Sequence, residues 1–265
     1  MTAEFTSLCL DDSGPIVKIE LSRPQALNAL NRELLTELQL AVARVKSRTE
    51  ARVLLIRGAG RAFCSGADLA SSAVRAGEPG SDAGEVLQQH YNPLMLSLAS
   101  LPIPIVARVQ GAAAGAGAML ALAADFVLAA RSAYFMFAFA KVGLVPDAGA
   151  HWLLPRLAGR ARATRMMMLA EKIPADQAAD WGLLHEVVDD EALDARVDAL
   201  CLRLSEGPTR AFGLIRKGLL ESSSLSFGAA LALERELQRE AGSTTDFAEG
   251  VNAFRQKRPP VFRGR

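Results

Sequence analysis

Residues 109–124 run sixteen positions without a charge, and eleven of them are Gly or Ala. A helix needs about 20 apolar residues to span a bilayer, so this run is too short to be a membrane segment. Small side chains let backbone elements approach one another and a ligand closely. The run is therefore expected in a protein interior, where a strand gives way to a tight turn. The charge balance narrows the class further. Thirty Lys and Arg stand against 29 Asp and Glu, for a net +1, whereas chains held to polyanions by bulk charge show a basic excess. Neither nucleic acid nor a membrane is an expected partner. At 265 residues, half of them hydrophobic, a chain buries about 70–75% of its unfolded surface and needs no disulfide or metal to fold. Cys9, Cys64 and Cys201 lie far apart, with no CxxC and no Cys/His spacing for a metal. No metal site is expected. The first ten residues carry Glu4 and no long apolar run, unlike a signal peptide. The expected compartment is a reducing cytoplasm.

Along the chain, Val17, Ile19 and Leu21 alternate as in a strand. Asn31 suits a helix N-cap, and Leu34, Leu35, Leu38, Ala41, Val42 and Val45 follow at helical spacing. The apolar run 53–56 fits a strand covered on both faces. Residues 71–84 are rich in Ser, Gly and Ala and predict a mobile loop. The spacing of Val86, Leu87, Leu94 and Leu98 predicts a helix over 85–101. Further strands are expected over 103–109, 125–129 and 134–139, and a helix within 111–124. Beyond Pro146 the pattern is helical almost to the end, broken at Pro174, Gly182, Gly207–Pro208 and Gly242. Alternating strands and helices argue an α/β fold with buried parallel strands.

Two small-residue turns each follow an expected strand: 62–69 and 111–118. That is where open α/β sheets bind ligands. The second leads into a helix whose first N–H groups are unpaired and carry the positive end of its dipole. One N–H from each turn can hold a developing oxyanion. Tight helix–strand packing explains the same composition without any ligand. Neither segment is a dinucleotide-binding GxGxxG or a P-loop.

Six motifs in register identify a resemblance. They are Arg23-Pro-Gln-Ala-Leu-Asn-Ala-Leu30, Arg61-Ala-Phe-Cys-Ser-Gly-Ala-Asp-Leu69, and 104–109 leading into Gln110-Gly111, Gly115-Ala-Gly117 and Asp125. Then come Val142-Gly-Leu-Val-Pro-Asp-Ala-Gly149, Ala178-Ala-Asp-Trp-Gly-Leu183 before Val187-Val188, and 246–254 running to Arg258-Pro-Pro260. Together they resemble the enoyl-CoA hydratase/isomerase (crotonase) superfamily over nearly the whole chain. The resemblance implies a ClpP-like spiral of ββα turns over 1–200 and a helical C-terminal oligomerisation region over 201–265, assembled as a trimer or dimer of trimers. It implies an acyl-CoA thioester substrate, with coenzyme A part of the substrate and no separate cofactor. The oxyanion-hole N–H groups carry over to Ala67 and Ala116. Substrate and CoA contacts carry over to Arg23, Gln25, Ala26 and Leu27, to Phe63, Gly66, Asp68 and Leu69, and to Gly115, Met119 and Phe139. Phe254 and Lys257 carry over as CoA contacts across a subunit interface; for the basic tail a solvated terminus is the alternative.

Hydration in this family resembles a two-carboxylate reaction, and the two glutamate positions are here Met119 and Phe139. One acid remains at a family catalytic position, Asp147. The 142–149 motif and His90-Tyr-Asn-Pro-Leu94 resemble the branch of Δ3,Δ2-enoyl-CoA isomerases and 1,2-epoxyphenylacetyl-CoA isomerase. A single base can shift a double bond by taking a proton from C2 and returning it at C4. Asp147 also suits a helix N-cap. His151, four residues on, would share a helical face with it. Alternation of Phe135, Phe137 and Phe139 suits an acyl pocket or plain core, and Cys64 suits buried packing more than reactivity. Three alternatives stay open: a hydratase, a dehalogenase-like enzyme, for which the family pattern is Trp at 139 and His at 92 where this chain has Phe139 and Asn92, and a silent acyl-CoA-binding fold. Glu78, Asp82 and Glu85 lie in or beside the 71–84 segment.

Overall fold

The computed structural model describes residues 5–70 and 82–265. Strand β1 (Leu8–Asp11) pairs antiparallel with β2 (Ile16–Leu21), in which Val17, Ile19 and Leu21 are buried. Helix α1 (Arg32–Ser47) opens on Asn31, whose side chain accepts the Leu34 N–H at 2.9 Å, and it buries the expected apolar face. Next come β3 (Val53–Gly58), α2 (Ala83–Val86), a π-helical turn Leu87–Tyr91, and α3 (Asn92–Ala99). Then follow β4 (Ile105–Val109), β5 (Ala112–Ala114), α4 (Ala116–Leu122), β6 (Phe126–Ala130) and β7 (Tyr134–Met136). The remainder is α5 (Ala150–Ala158), α6 (Arg160–Leu169), β8 (Ile173–Pro174), α7 (Ala175–Asp180) and β9 (Glu186–Val188), then α8 (Leu193–Ser205), α9 (Thr209–Ser222), α10 (Phe227–Gly242) and α11 (Thr245–Gln256).

The main sheet has the order β1-β2-β3-β4-β6-β9 and is parallel beyond its first pair. Its central strands are almost wholly buried, as continuous Val/Ile/Leu runs require when both faces are covered. A smaller sheet, β5-β7-β8, stands beside it. The bridges Leu30↔Ala67 and Cys64↔Ala113 tie successive turns of the chain together.

Three expectations are corrected. The strand expected over 134–139 stops at Met136, because its partner β5 ends where Gly115 turns away. Phe137 leads instead into a 3₁₀ turn, Ala138–Val142. The helix expected over 85–101 forms, but with a π turn inside it. The small-residue run holds a strand, β5, before its helix. The division at residue 200 falls inside α8, where Leu200, Cys201 and Leu204 are buried and the helix packs on β3, β4 and β6. The expectation of a mobile loop over 71–84 falls largely on residues outside the described ones, as does Glu78. Asp82 caps α2, accepting the Gly84 N–H at 2.7 Å, and exposed Glu85 accepts from Gln89 at 2.8 Å. Neither belongs to the turns described below.

Asn28 holds the first turn. It is fully buried with φ +55°, a conformation Asn tolerates better than most residues. Its Nδ2 donates to the carbonyls of Ala59, Ala62 and Phe63 at 2.8, 2.9 and 3.2 Å, and its Oδ1 accepts the Arg23 N–H at 2.9 Å. Asn28→Ala would leave these groups unpaired, and we expect it to cost about 3 kcal/mol of stability. Denaturant unfolding measures this; an unchanged midpoint would show that the network contributes nothing.

Candidate active site

Gly66 and Gly115 bring the two small-residue turns into contact. Gly66 has φ +96°, and a Cβ there would lie 2.8 Å from the Ala114 carbonyl oxygen. Gly115 has φ +51°, and a Cβ on it would sit 3.8 Å from the Gly66 Cα. Only glycine meets both the backbone conformation and the close approach at Gly66. The Cys64 N–H to Ala112 O bond and the Ala114 N–H to Cys64 O bond clamp the crossing at 3.1 and 2.8 Å.

Each turn then presents one unclaimed amide. Leu30 donates to Gly66 O at 2.7 Å and accepts from the Asp68 N–H at 3.1 Å. It bonds on either side of Ala67, so the Ala67 N–H points the other way. Ala116 opens α4, where the first N–H groups have no helical partner. Among the described residues neither amide donates a hydrogen bond. Two such donors on adjacent turns can stabilise negative charge on a thioester oxygen.

Asp147 follows the 3₁₀ turn and the exposed pair Leu144 and Val145. Its Oδ1 is buried and has no hydrogen-bond partner among the described residues. Burial pushes its carboxyl up to about 6, because the charged form loses solvation that nothing replaces. The N-cap expectation is not met: α5 starts on Gly149 with no side-chain cap, and only the backbone carbonyl of Asp147 is used, accepting from Ala150 at 2.9 Å. Ala148 and Gly149 both have positive φ (+48° and +84°), so the chain turns left-handed between Asp147 and the helix. The i,i+4 relation of His151 to Asp147 therefore does not hold, and His151 is exposed.

Met119 is fully buried and Phe139 nearly so. The Phe139 Cζ lies 3.9 Å from where a Cβ on Gly115 would be, so the ring reaches the oxyanion turn. Phe135 and Phe137 are fully buried in the core, and Phe63 is likewise fully buried. Arg23 and Asp68 bind each other at 2.9 Å, and Arg23 also donates to the Ala29 carbonyl. Gln25 and Leu69 are exposed, with Ala26 and Leu27 half-buried beside them. Phe254 on α11 and Lys257, which follows it as the C-cap, are exposed, and α11 packs on α10. Cys64 is fully buried, donates to Asn28 O at 3.0 Å, and has its thiol pushed up to about 12 by burial. It is a packing residue. Among the described residues no three His, Cys, Asp or Glu side chains gather as metal ligands, and no helix is long and apolar enough to cross a membrane.

Two residues of this region enter the sequence reading only as members of motifs, with no role of their own. Asn28 is one; the signal for it is an Asn where a turn requires positive φ. Tyr91 is the other. It is buried, and its phenol is pushed up by burial and, less, by the nearby charges of Asp147, Cys64 and Asp68. Its sequence signals are the 90–94 motif and Pro93 inside the expected helix.

Known proteins share this arrangement from end to end. The family model "Enoyl-CoA hydratase/isomerase" matches residues 11–265. The chain is 44% identical to the 1,2-epoxyphenylacetyl-CoA isomerase of Escherichia coli strain K12, covering 94% of this chain and 95% of that one. It is 48% identical to a protein of Rhodobacter capsulatus named "Probable enoyl-CoA hydratase", covering 96% of each. The crystal structure of an enoyl-CoA hydratase from Bacillus anthracis superposes with a TM-score of 0.91 at 30% identity, over 98% of this chain and all of that one. A crotonase fold shared over this length, with the motifs that build both turns, makes the chain an enzyme of the enoyl-CoA hydratase/isomerase family.

Proposed function

We propose that the protein isomerises an enoyl-CoA thioester, moving a double bond from C3 to C2. Asp147 takes a proton from C2. The resulting enolate oxygen rests on the Ala67 and Ala116 N–H groups, and Asp147 returns the proton at C4. The observation that carries this reading is the buried carboxyl oxygen of Asp147, without a hydrogen-bond partner among the described residues; Met119 and Phe139, at the positions where the family resemblance puts the hydratase acids, carry no acid. A 1,3-proton shift needs one group that both takes and gives a proton, and a pKa near 6 suits both tasks. No cofactor is needed, since coenzyme A arrives as part of the substrate. Adding a 3-enoyl-CoA should raise the ultraviolet absorbance of the conjugated thioester. No rise with any 3-enoyl chain length would overturn the reading.

The hydratase reading rests on the name of the Rhodobacter relative. It needs a second acid beside Asp147, and Met119 and Phe139 supply none.

The base must be ionised to act. With its pKa raised to about 6, kcat/KM should climb about tenfold per pH unit below that value and level off above it. A flat profile through this range would remove Asp147 as the base.

The reading extends to assembly and setting. Phe227 and Phe254 on the C-terminal helices are 80% and 85% exposed, and Leu219 is 71% exposed. Such side chains support a homotrimer or dimer of trimers, with Phe254 and Lys257 contacting CoA of a neighbouring subunit. Three free cysteines suit the cytoplasm. The isomerase relative supports a place in aromatic-acid or fatty-acid degradation.

A further inference from the structure

Helix α11 ends in a left-handed reversal at a residue with a full side chain. Lys257 has φ +52° and ψ +40°, and its N–H still bonds the Phe254 carbonyl at 3.2 Å. A lysine seldom takes this conformation, and it persists where the surroundings impose it. The surroundings here are residues 258–265, which run back along α11 from its last turn to its first. Arg258 grips Glu249 with two bonds, at 2.6 and 2.9 Å, and the Val261 N–H donates to the same carboxylate at 2.9 Å. One turn earlier, Asp246 accepts the Arg263 and Gly264 N–H groups, both at 2.7 Å, and its own N–H donates to the Arg265 carbonyl at 3.0 Å. Arg52, just before β3, ties the returning chain to the main sheet by donating to the Phe262 carbonyl at 3.2 Å.

The two carboxylates are fully used by this segment. Each oxygen of Asp246 and of Glu249 accepts at least one hydrogen bond from it. Asp246 is 4% exposed although it stands in the first turn of a surface helix. The Arg258 guanidinium holds the Glu249 carboxyl down at about 2, with help from the Val261 N–H, so the pair stays ionised at neutral pH. Phe254 and Lys257 stand one turn apart at the helix end, both exposed. Among the described residues the Lys257 ammonium has no ion pair or hydrogen bond. An ammonium and an aromatic ring at this spacing suit a nucleotide, one for a phosphate and one for a base.

We infer that Glu249 and Asp246 are positioning residues for coenzyme A: by holding residues 258–265 against α11 they fix the reversal at Lys257, and with it where the ammonium and the Phe254 ring meet the nucleotide. This rests on the reading above that Phe254 and Lys257 contact CoA. A helix end without this brace would have to be ordered when the ligand binds, and ordering costs affinity. A braced one has its contacts set beforehand. The effect is confined to the CoA moiety, because neither acid belongs to the turns that hold the thioester.

Titration calorimetry on the full chain tests this with octanoyl-CoA and with octanoyl-pantetheine, which keeps the thioester and lacks the nucleotide. Glu249→Gln keeps the size of the side chain and breaks the grip on Arg258. We expect the Kd for octanoyl-CoA to rise about tenfold and that for octanoyl-pantetheine to stay as in the wild type. The melting temperature should change little, since a surface ion pair contributes little to stability. Asp246→Asn, which offers the Arg263 and Gly264 amides one acceptor oxygen instead of two, should act the same way. A brace that serves folding alone would lower the melting temperature and leave both Kd values in place. That result would overturn the inference, and so would an equal rise for both ligands. Lys257→Ala is measured alongside. If it weakens octanoyl-CoA binding while Glu249→Gln and Asp246→Asn do not, this inference alone fails; if it leaves that binding unchanged, the CoA contact fails and takes this one with it.

Discussion

Asp147→Asn should lower turnover of a 3-enoyl-CoA about a thousandfold and leave acyl-CoA affinity nearly unchanged. The amide is close to the carboxyl in size and cannot accept the C2 proton. Asp147 makes no side-chain hydrogen bond that the fold depends on: α5 starts on the backbone carbonyl of Asp147, with Gly149 as its cap. The buried oxygen without a partner is costly when ionised, so the variant is expected to be as stable as the wild type or more so. That combination separates a catalytic acid from a structural one. A structural carboxylate would lose stability and activity together, whereas here activity alone should fall. Turnover within tenfold of wild type would contradict the assignment.

Gly66→Ala should lower kcat about a hundredfold with a smaller effect on KM. The new methyl would lie 2.8 Å from the Ala114 carbonyl oxygen, a backbone atom that cannot swing aside, on a residue with φ +96°. The two turns must separate. The proposed oxyanion donors, Ala67 N and Ala116 N, would then no longer be set for one oxygen, and losing one such donor costs about 10²–10³ in kcat. The charge on that oxygen grows on the way to the enolate, so the loss falls mainly on the chemical step. Some stability is lost as well, about 1–2 kcal/mol for the strained backbone. Circular dichroism with kinetics on the folded protein distinguishes the two effects. Normal kcat in a folded variant would remove this crossing from the mechanism.

The main sheet is legible in the sequence because its strands bury continuous runs, such as residues 53–56, or alternate, as in β2. The helix of residues 32–47 is legible from its cap and its apolar stripe. What escapes is local. β5 is three alanines, residues with little strand preference; it forms because Tyr134–Met136 and Cys64 pair with it. The strand expected over 134–139 fails for the same tertiary reason, since β5 offers nothing to pair with beyond Ala114. The region around Asp147 misleads helical reasoning. Ala148 takes φ +48°, which an alanine seldom adopts, and with Gly149 at φ +84° it removes both the cap and the His151 pairing. The residues of the site came through motif resemblance more than through periodicity. Their geometry adds what motifs do not hold: the contact of Gly66 with Gly115, the buried oxygen of Asp147, and the π turn that ends on Tyr91.

The central claim is that one buried acid moves a proton within the substrate and adds no water. The most direct test is the mass of the product formed from a 3-enoyl-CoA by the purified full-length protein. The account predicts a product of unchanged mass that absorbs as a conjugated thioester and is not formed by Asp147→Asn. A product heavier by one water, formed at a comparable rate, would contradict it and show that a second acid reaches the substrate.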